Sequence, residues 1–314
     1  MERYDNQRRG RIRQTPIYVG KFFRMFIYLN DWRVLPMSAL IAALVVYVAG
    51  ANIFKTMEGM ALGSMALTCI CLWNGCFNSI QVVCRERGIV KREHRAGMHV
   101  FSYISAHMIY QAFLCLMQSV ITVIVCRVGG MALPVEGIVT PWFYLDFVIT
   151  LFLVTYAADM MSLMISCIVH NTTSAMTVMP LVLIFELVFS GIMFNLGGKA
   201  ETLGKLTIAK WGMIAICALG KYNDLPMVSV WNQIFKFRKY EVGGLTPIND
   251  LVKYIESNDL TDDFCLEVGR NSPNLSYVST VSNVTKCWLV LILFVAVFAI
   301  LSMVFLKFID RDKR

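Results

Sequence analysis

Two apolar runs, Met60–Val83 and Ala106–Val128, bracket the densest cluster of charge in the sequence. Arg85, Glu86, Arg87, Lys91, Arg92, Glu93, His94 and Arg95 fill eight of eleven consecutive positions between them. At about 1.5 Å per helical residue, either run is long enough to cross the roughly 30 Å of bilayer hydrocarbon. The charged cluster must then lie in water between two spans, and its five basic residues predict a cytoplasmic hinge. Only a helical membrane protein accommodates this alternation.

Composition agrees with that class. The chain is 57% hydrophobic and 16% charged, whereas soluble domains carry about a quarter charged residues. The net charge of +8 is concentrated before the first span, in the hinge and after the last span, with the segment 198–285 nearly balanced. This is a topology signal and predicts no nucleic-acid partner. Residues 1–16 are polar and basic with no apolar core of a signal peptide. From Val19, the spacing of Phe22, Phe23 and Phe26, opposite Lys21 and Arg24, predicts an amphipathic helix over 17–30 lying in the membrane interface.

Six spans are expected, at about 34–54, 60–83, 106–128, 142–169, 174–196 and 286–308, so the fold is all-α. An even number puts both termini in the cytoplasm of a multi-pass cell-membrane protein and the segment 198–285 outside. Within that segment, residues 206–219 are apolar enough to re-enter the membrane, which requires protein around them to satisfy their backbone. Ile248, Leu251, Val252 and Ile255 predict a short helix over Pro247–Asn258. The domain reading is a basic tail and interfacial helix over 1–33, a membrane domain over 34–308, and a tail over 309–314.

Residues able to carry chemistry are few. Gly198-Lys199, Gly204-Lys205 and Gly220-Lys221 lack the upstream glycine and the following Ser or Thr of a phosphate-binding loop. ATP binding by this chain is therefore not expected. His94, His99, His107 and His170 and the ten cysteines show no metal-ligand spacing, so no metal is expected. Cys265 is a candidate for a disulfide with Cys217 or Cys287. Asp159 and Glu186 lie inside spans at similar depth with no Lys or Arg level with them. They are expected either to hold protons and bond a neighbouring helix or to meet a cation. For Glu186 the alternatives are a sensor of substrate charge and a bond to Asp159 or to a carbonyl. Pro180 is expected to kink the fifth span.

The order of these features resembles the type-2 ABC exporter permease in its G-subfamily, pleiotropic-drug-resistance form. Three segments carry the resemblance over about residues 17–308. Glu86–Ala106 is similar to the family's E-R-x-x-x-x-R-E-x-x-x-G-x-x-x-x-S-Y hinge, Phe189–Leu196 to its F-S-G-L-L-x-N-L, and Asn74–Ser79 to a motif of the second span. The resemblance implies a coupling helix that touches an ATPase through Glu86, Arg87, Arg92, Glu93, His94, Arg95 and Gly97. A second contact is implied at His170 and Asn171. Asn74, Phe77, Leu183, Ile184, Glu186 and Leu187 are implied to line a substrate cavity between two permease halves, identical or homologous. Ile192 and Met193 take the place of its outer gate. ATP and magnesium are expected in a partner ATPase, on a separate chain, and not here. Glu186 departs from the family, which is usually apolar at that position.

Three functions follow as alternatives. The first is export of a hydrophobic or amphipathic substrate (a lipid, lipid-linked molecule, peptide or drug) by alternating access. The second is a membrane enzyme using Asp159, Glu186 or a histidine, for which no nucleophile–base pattern exists. The third is a non-transporting module whose outer segment binds a partner for signalling or assembly.

Overall fold

A computed structural model describes residues 11–28, 31–191, 197–241 and 246–308. The expected gate residues Ile192 and Met193, and the outermost parts of both tails, lie outside these. The described chain is mostly helical, with no strand among the described residues beyond one isolated bridge between Glu136 and Trp142. Its helices are α1 (Thr15–Tyr28), α2 (Val34–Ala49), α3 (Met57–Ser79), α4 (Val82–Arg95), α5 (Val100–Val128), α6 (Phe143–Ile168), α7 (Thr172–Val188), α8 (Lys199–Gly204), α9 (Ile208–Leu219), α10 (Val228–Phe237), α11 (Pro247–Ser257), α12 (Thr261–Asn271) and α13 (Val281–Lys307).

Among the described residues, four helical stretches are long and apolar enough to cross a membrane: Met57–Arg95, Val100–Val128, Phe143–Ile168 and Val281–Lys307. The first joins α3 and α4 into one 39-residue rod, so the charged hinge is itself helical. Two expected spans are shorter as helices. α2 has 16 residues and α7 has 17, about 24–26 Å of rise. The turn at Gly50–Thr56 ends α2 early, with Phe54 in the left-handed region at φ 63°.

Helix α6 is the centre, packed against α3, α5, α9 and α13. Close approach explains the choice of residues there. Gly75 of α3 sits against the Thr155 carbonyl and Ala158 of α6, and Ser162, one turn on, donates to the Gly75 carbonyl at 3.4 Å. Without water between helices, such small residues allow dense packing and interhelical hydrogen bonds. Asp146 in the first turn of α6 accepts the amides of Ile138, Val139 and Thr140, which pins the preceding loop.

The apolar stretch expected to re-enter folds as α9. Ten of its twelve residues are buried, among α3, α6 and α13, so protein surrounds it as its backbone requires. Helix α11 matches the expected short helix. Its neighbours α10 and α12 were not foreseen. They pack with α11 at the end of the bundle opposite α4. Cys265, Cys217 and Cys287 are buried free thiols, so the candidate disulfide does not form. Cys217 instead donates to Ser64 Oγ at 3.1 Å.

Candidate functional site

Helix α4 ends where its sequence dictates. Gly97 has φ 108°, its amide donates to the His94 carbonyl, and the Met98 amide donates to the Glu93 carbonyl. This is a Schellman stop with glycine in the left-handed position and Met98 buried behind it. Arg92, His94 and Arg95 fill the last turn, where the helix dipole favours cations.

One side of α4 is taken by α1. Gln14 grips the stop, its Nε2 donating to the Gly97 carbonyl at 3.3 Å and its Oε1 accepting the His99 amide at 3.0 Å. Tyr18 donates to Glu93 at 3.2 Å and Lys21 at 3.3 Å, while Lys21 also lies 3.9 Å from Glu86. Glu86 and Glu93 are seven residues apart and share a face, as Gln14, Tyr18 and Lys21 do. Burial first, then the charge and hydrogen bond of Glu93, pushes the Tyr18 phenol up to about 12. It therefore remains a donor throughout the physiological range. Next to this polar edge α1 carries its phenylalanine face, and Tyr18 and Phe22 both meet Tyr103 edge to face. Phe22 is buried against Tyr103, His107 and Tyr110, and Phe23 against Tyr110 and Phe113 of α5. The phenylalanine spacing correctly located this face. Tyr18 and Lys21 were not singled out as partners of Glu93, although the seven-residue spacing of the two acids was a readable signal.

Arg87 points another way. Its guanidinium donates to the Cys167 and Val169 carbonyls at 3.2 and 2.8 Å, capping the end of α6. This brings α4 beside the turn at His170 and Asn171, where the Asn171 side chain accepts the Ser174 amide and caps α7. The two segments expected to contact an ATPase are thus joined in space. Gly88, Ile89, Arg92 and Arg95 of α4 remain exposed, as do His170 and Asn171.

The intramembrane polar residues are largely used within the bundle. Asn74 does not face a cavity, because its Nδ2 donates to Ser38 of α2 at 2.9 Å. Asn78 and Gln118 exchange two hydrogen bonds, Gln111 donates to Ser79, and Ser79 donates to Asp159 at 2.6 Å. Asp159 thereby ties α6 to α3 and, through Gln111, to α5. Glu186 meets neither Asp159 nor a carbonyl. Its Oε2 accepts the Ala209 amide at 2.9 Å, at the start of α9, where a carboxylate satisfies an orphan donor and suits the dipole. Leu183 is buried and Leu187 half-buried, while Phe77 and Ile184 are exposed. With Trp73, Leu181 and Phe185 they form an uncovered apolar surface on α3 and α7.

The profile of the ABC-2 type transporter family matches residues 19–215, more than half of the chain. The chain is also similar to an ABC transporter ATP-binding/permease protein of Mycobacterium tuberculosis, 28% identical over 138 residues. That alignment covers 42% of this chain and 16% of the relative.

Proposed function

The chain belongs to the ABC-2 type transporter family, and on that premise we propose that it is the membrane permease of an ATP-driven exporter. In this reading α4 is the coupling element. What supports it is the two-sided character of that helix. Tyr18, Lys21 and the α6 carbonyls hold one side, while Gly88, Ile89, Arg92 and Arg95 face solvent together with the His170 turn. A rigidly braced helix with a mixed apolar and basic outer face suits docking on an ATPase, supplied by another domain or chain. Movement of that ATPase passes through the α3–α4 rod into the spans.

The resemblance of the hinge motif supports the G-subfamily form in this reading. The uncovered surface of Trp73, Phe77, Leu181, Ile184 and Phe185 faces a second permease half across the substrate path. An apolar lining selects a hydrophobic or amphipathic substrate. ATP hydrolysis and its magnesium belong to the partner, and this chain contributes no reacting group.

The test uses the intact complex in proteoliposomes. Arg92→Glu, which removes a charge-assisted contact, and Ile89→Asp, which puts a charge in an apolar one, are each expected to leave the chain inserted and to lower permease-dependent ATP hydrolysis about tenfold. Unchanged ATPase recovery and turnover in both variants would reject the coupling role.

A further inference from the structure

A crevice of about 170 Å³ opens between α2, α3 and α5 at the α4 end of the bundle. Val34, Phe77 and Leu114 form its apolar wall, and Gln81, Arg85 and Gln111 its polar one. Arg85 is exposed and has no acidic partner among the described residues, whereas its neighbour Glu86 is engaged by Lys21. Arg85 also borders a smaller cavity of about 50 Å³ beneath Phe22 and Met25 of α1.

Gln111 adds the second observation. It is 1% exposed, and its Oε1 has no hydrogen-bond partner among the described residues. Its Nε2 donates to Ser79 Oγ and lies 3.4 Å from the Asn78 carbonyl. Because a carbonyl only accepts, the amide orientation is set, and Oε1 is left as a buried acceptor beside the crevice. A buried acceptor without a partner is costly, so a donor in the crevice would be bound favourably.

The depth of the crevice identifies the ligand. The 23 residues of α3 rise about 34 Å, slightly more than the hydrocarbon thickness. Residues 78–85 therefore fall at the headgroup level of one leaflet, where the interfacial helix α1 also lies. We propose that this crevice binds the headgroup of a phospholipid, with its phosphodiester on Arg85, a terminal N–H or O–H donor on Gln111 Oε1, and its acyl chain along Phe77 and Leu114. Phe77 also belongs to the surface assigned to the substrate path, so the proposal rests on that reading. Arg85 and Gln111 lie outside that surface, and lipid retention on Arg85 tests the headgroup site separately from ATPase coupling.

Native mass spectrometry of the detergent-purified complex, challenged with lipids of equal chain length, tests this. Phosphatidylethanolamine and phosphatidylglycerol are expected to be retained over phosphatidylcholine, whose choline has no donor. Arg85→Gln is expected to lower retention roughly tenfold, as loss of a charge-assisted hydrogen bond predicts, and Arg85→Lys to keep most of it. Co-elution with wild type on gel filtration controls for folding. Equal retention by Arg85→Gln and wild type, or no preference against phosphatidylcholine, would overturn the proposal. Displacement of the lipid by millimolar inorganic phosphate would assign Arg85 to free phosphate and overturn it equally.

Discussion

Glu186 shows how a single acid is accommodated in an apolar helix. Its carboxylate is spent on the Ala209 amide, joining α7 to the first turn of α9. Glu186→Gln retains an acceptor of the same shape, so the variant is expected to fold and transport as wild type. Glu186→Leu strands a buried amide and should cost about 1–2 kcal/mol, as loss of a helix cap does. Thermal unfolding of the purified variants separates the two. Equal destabilisation by Gln and Leu would show that the charge, and not a neutral acceptor, holds the Ala209 amide.

At the scale of elements, the seam between α3 and α6 depends on the missing side chain of Gly75. A Cβ there would fall on the Thr155 carbonyl oxygen, with Ala158 and the Asp159 amide close behind. The obstacle is backbone, so the helices must separate rather than one rotamer shift. Gly75→Ala is therefore expected to reduce folded yield sharply. Gly88 is the contrasting case, because nothing lies within 4 Å of its added Cβ. Gly88→Ala should stabilise α4 by about 0.5–1 kcal/mol through reduced chain entropy. Fluorescence-detected gel filtration on a thermal series reads both, and the same sign of change in the two variants would contradict this account.

Across the whole molecule, the α3–α4 rod carries a clamp at each end. At one end Glu58 accepts the Ser229 amide at 2.7 Å and the Val228 amide at 3.4 Å, while the Met57 amide donates to the Pro226 carbonyl. At the other, Glu93 accepts from Tyr18 and Lys21. The rod thus connects the α10–α12 cluster to the hinge. Glu58→Ala should free the start of α10 without loosening α1. Hydrogen exchange should rise over residues 227–237 and stay unchanged over 15–28. Increased exchange at both ends would mean that the rod does not hold its two clamps independently.

Local pattern was enough for much of this architecture. Periodicity and charge density are properties of neighbouring residues, so the apolar runs, the hinge, the Phe22 face of α1, the buried stretch at 208–219 and the helix at Pro247 were all legible in the sequence. The short helices α10 and α12 were not. Their apolar residues, such as Trp231 and Phe264, which meet edge to face, are covered only by helices distant in sequence or not themselves foreseen. The partners of the polar residues were equally hidden. The sequence states that burying Asn74, Glu93 or Glu186 without a partner is costly, but it does not say which helix supplies that partner. Ser38 lies 36 residues from Asn74, Tyr18 lies 75 from Glu93, and Ala209 lies 23 from Glu186. Only the packing of α2, α1 and α9 brings these atoms within hydrogen-bond distance, and a hydrogen bond is decided by distance and direction in space.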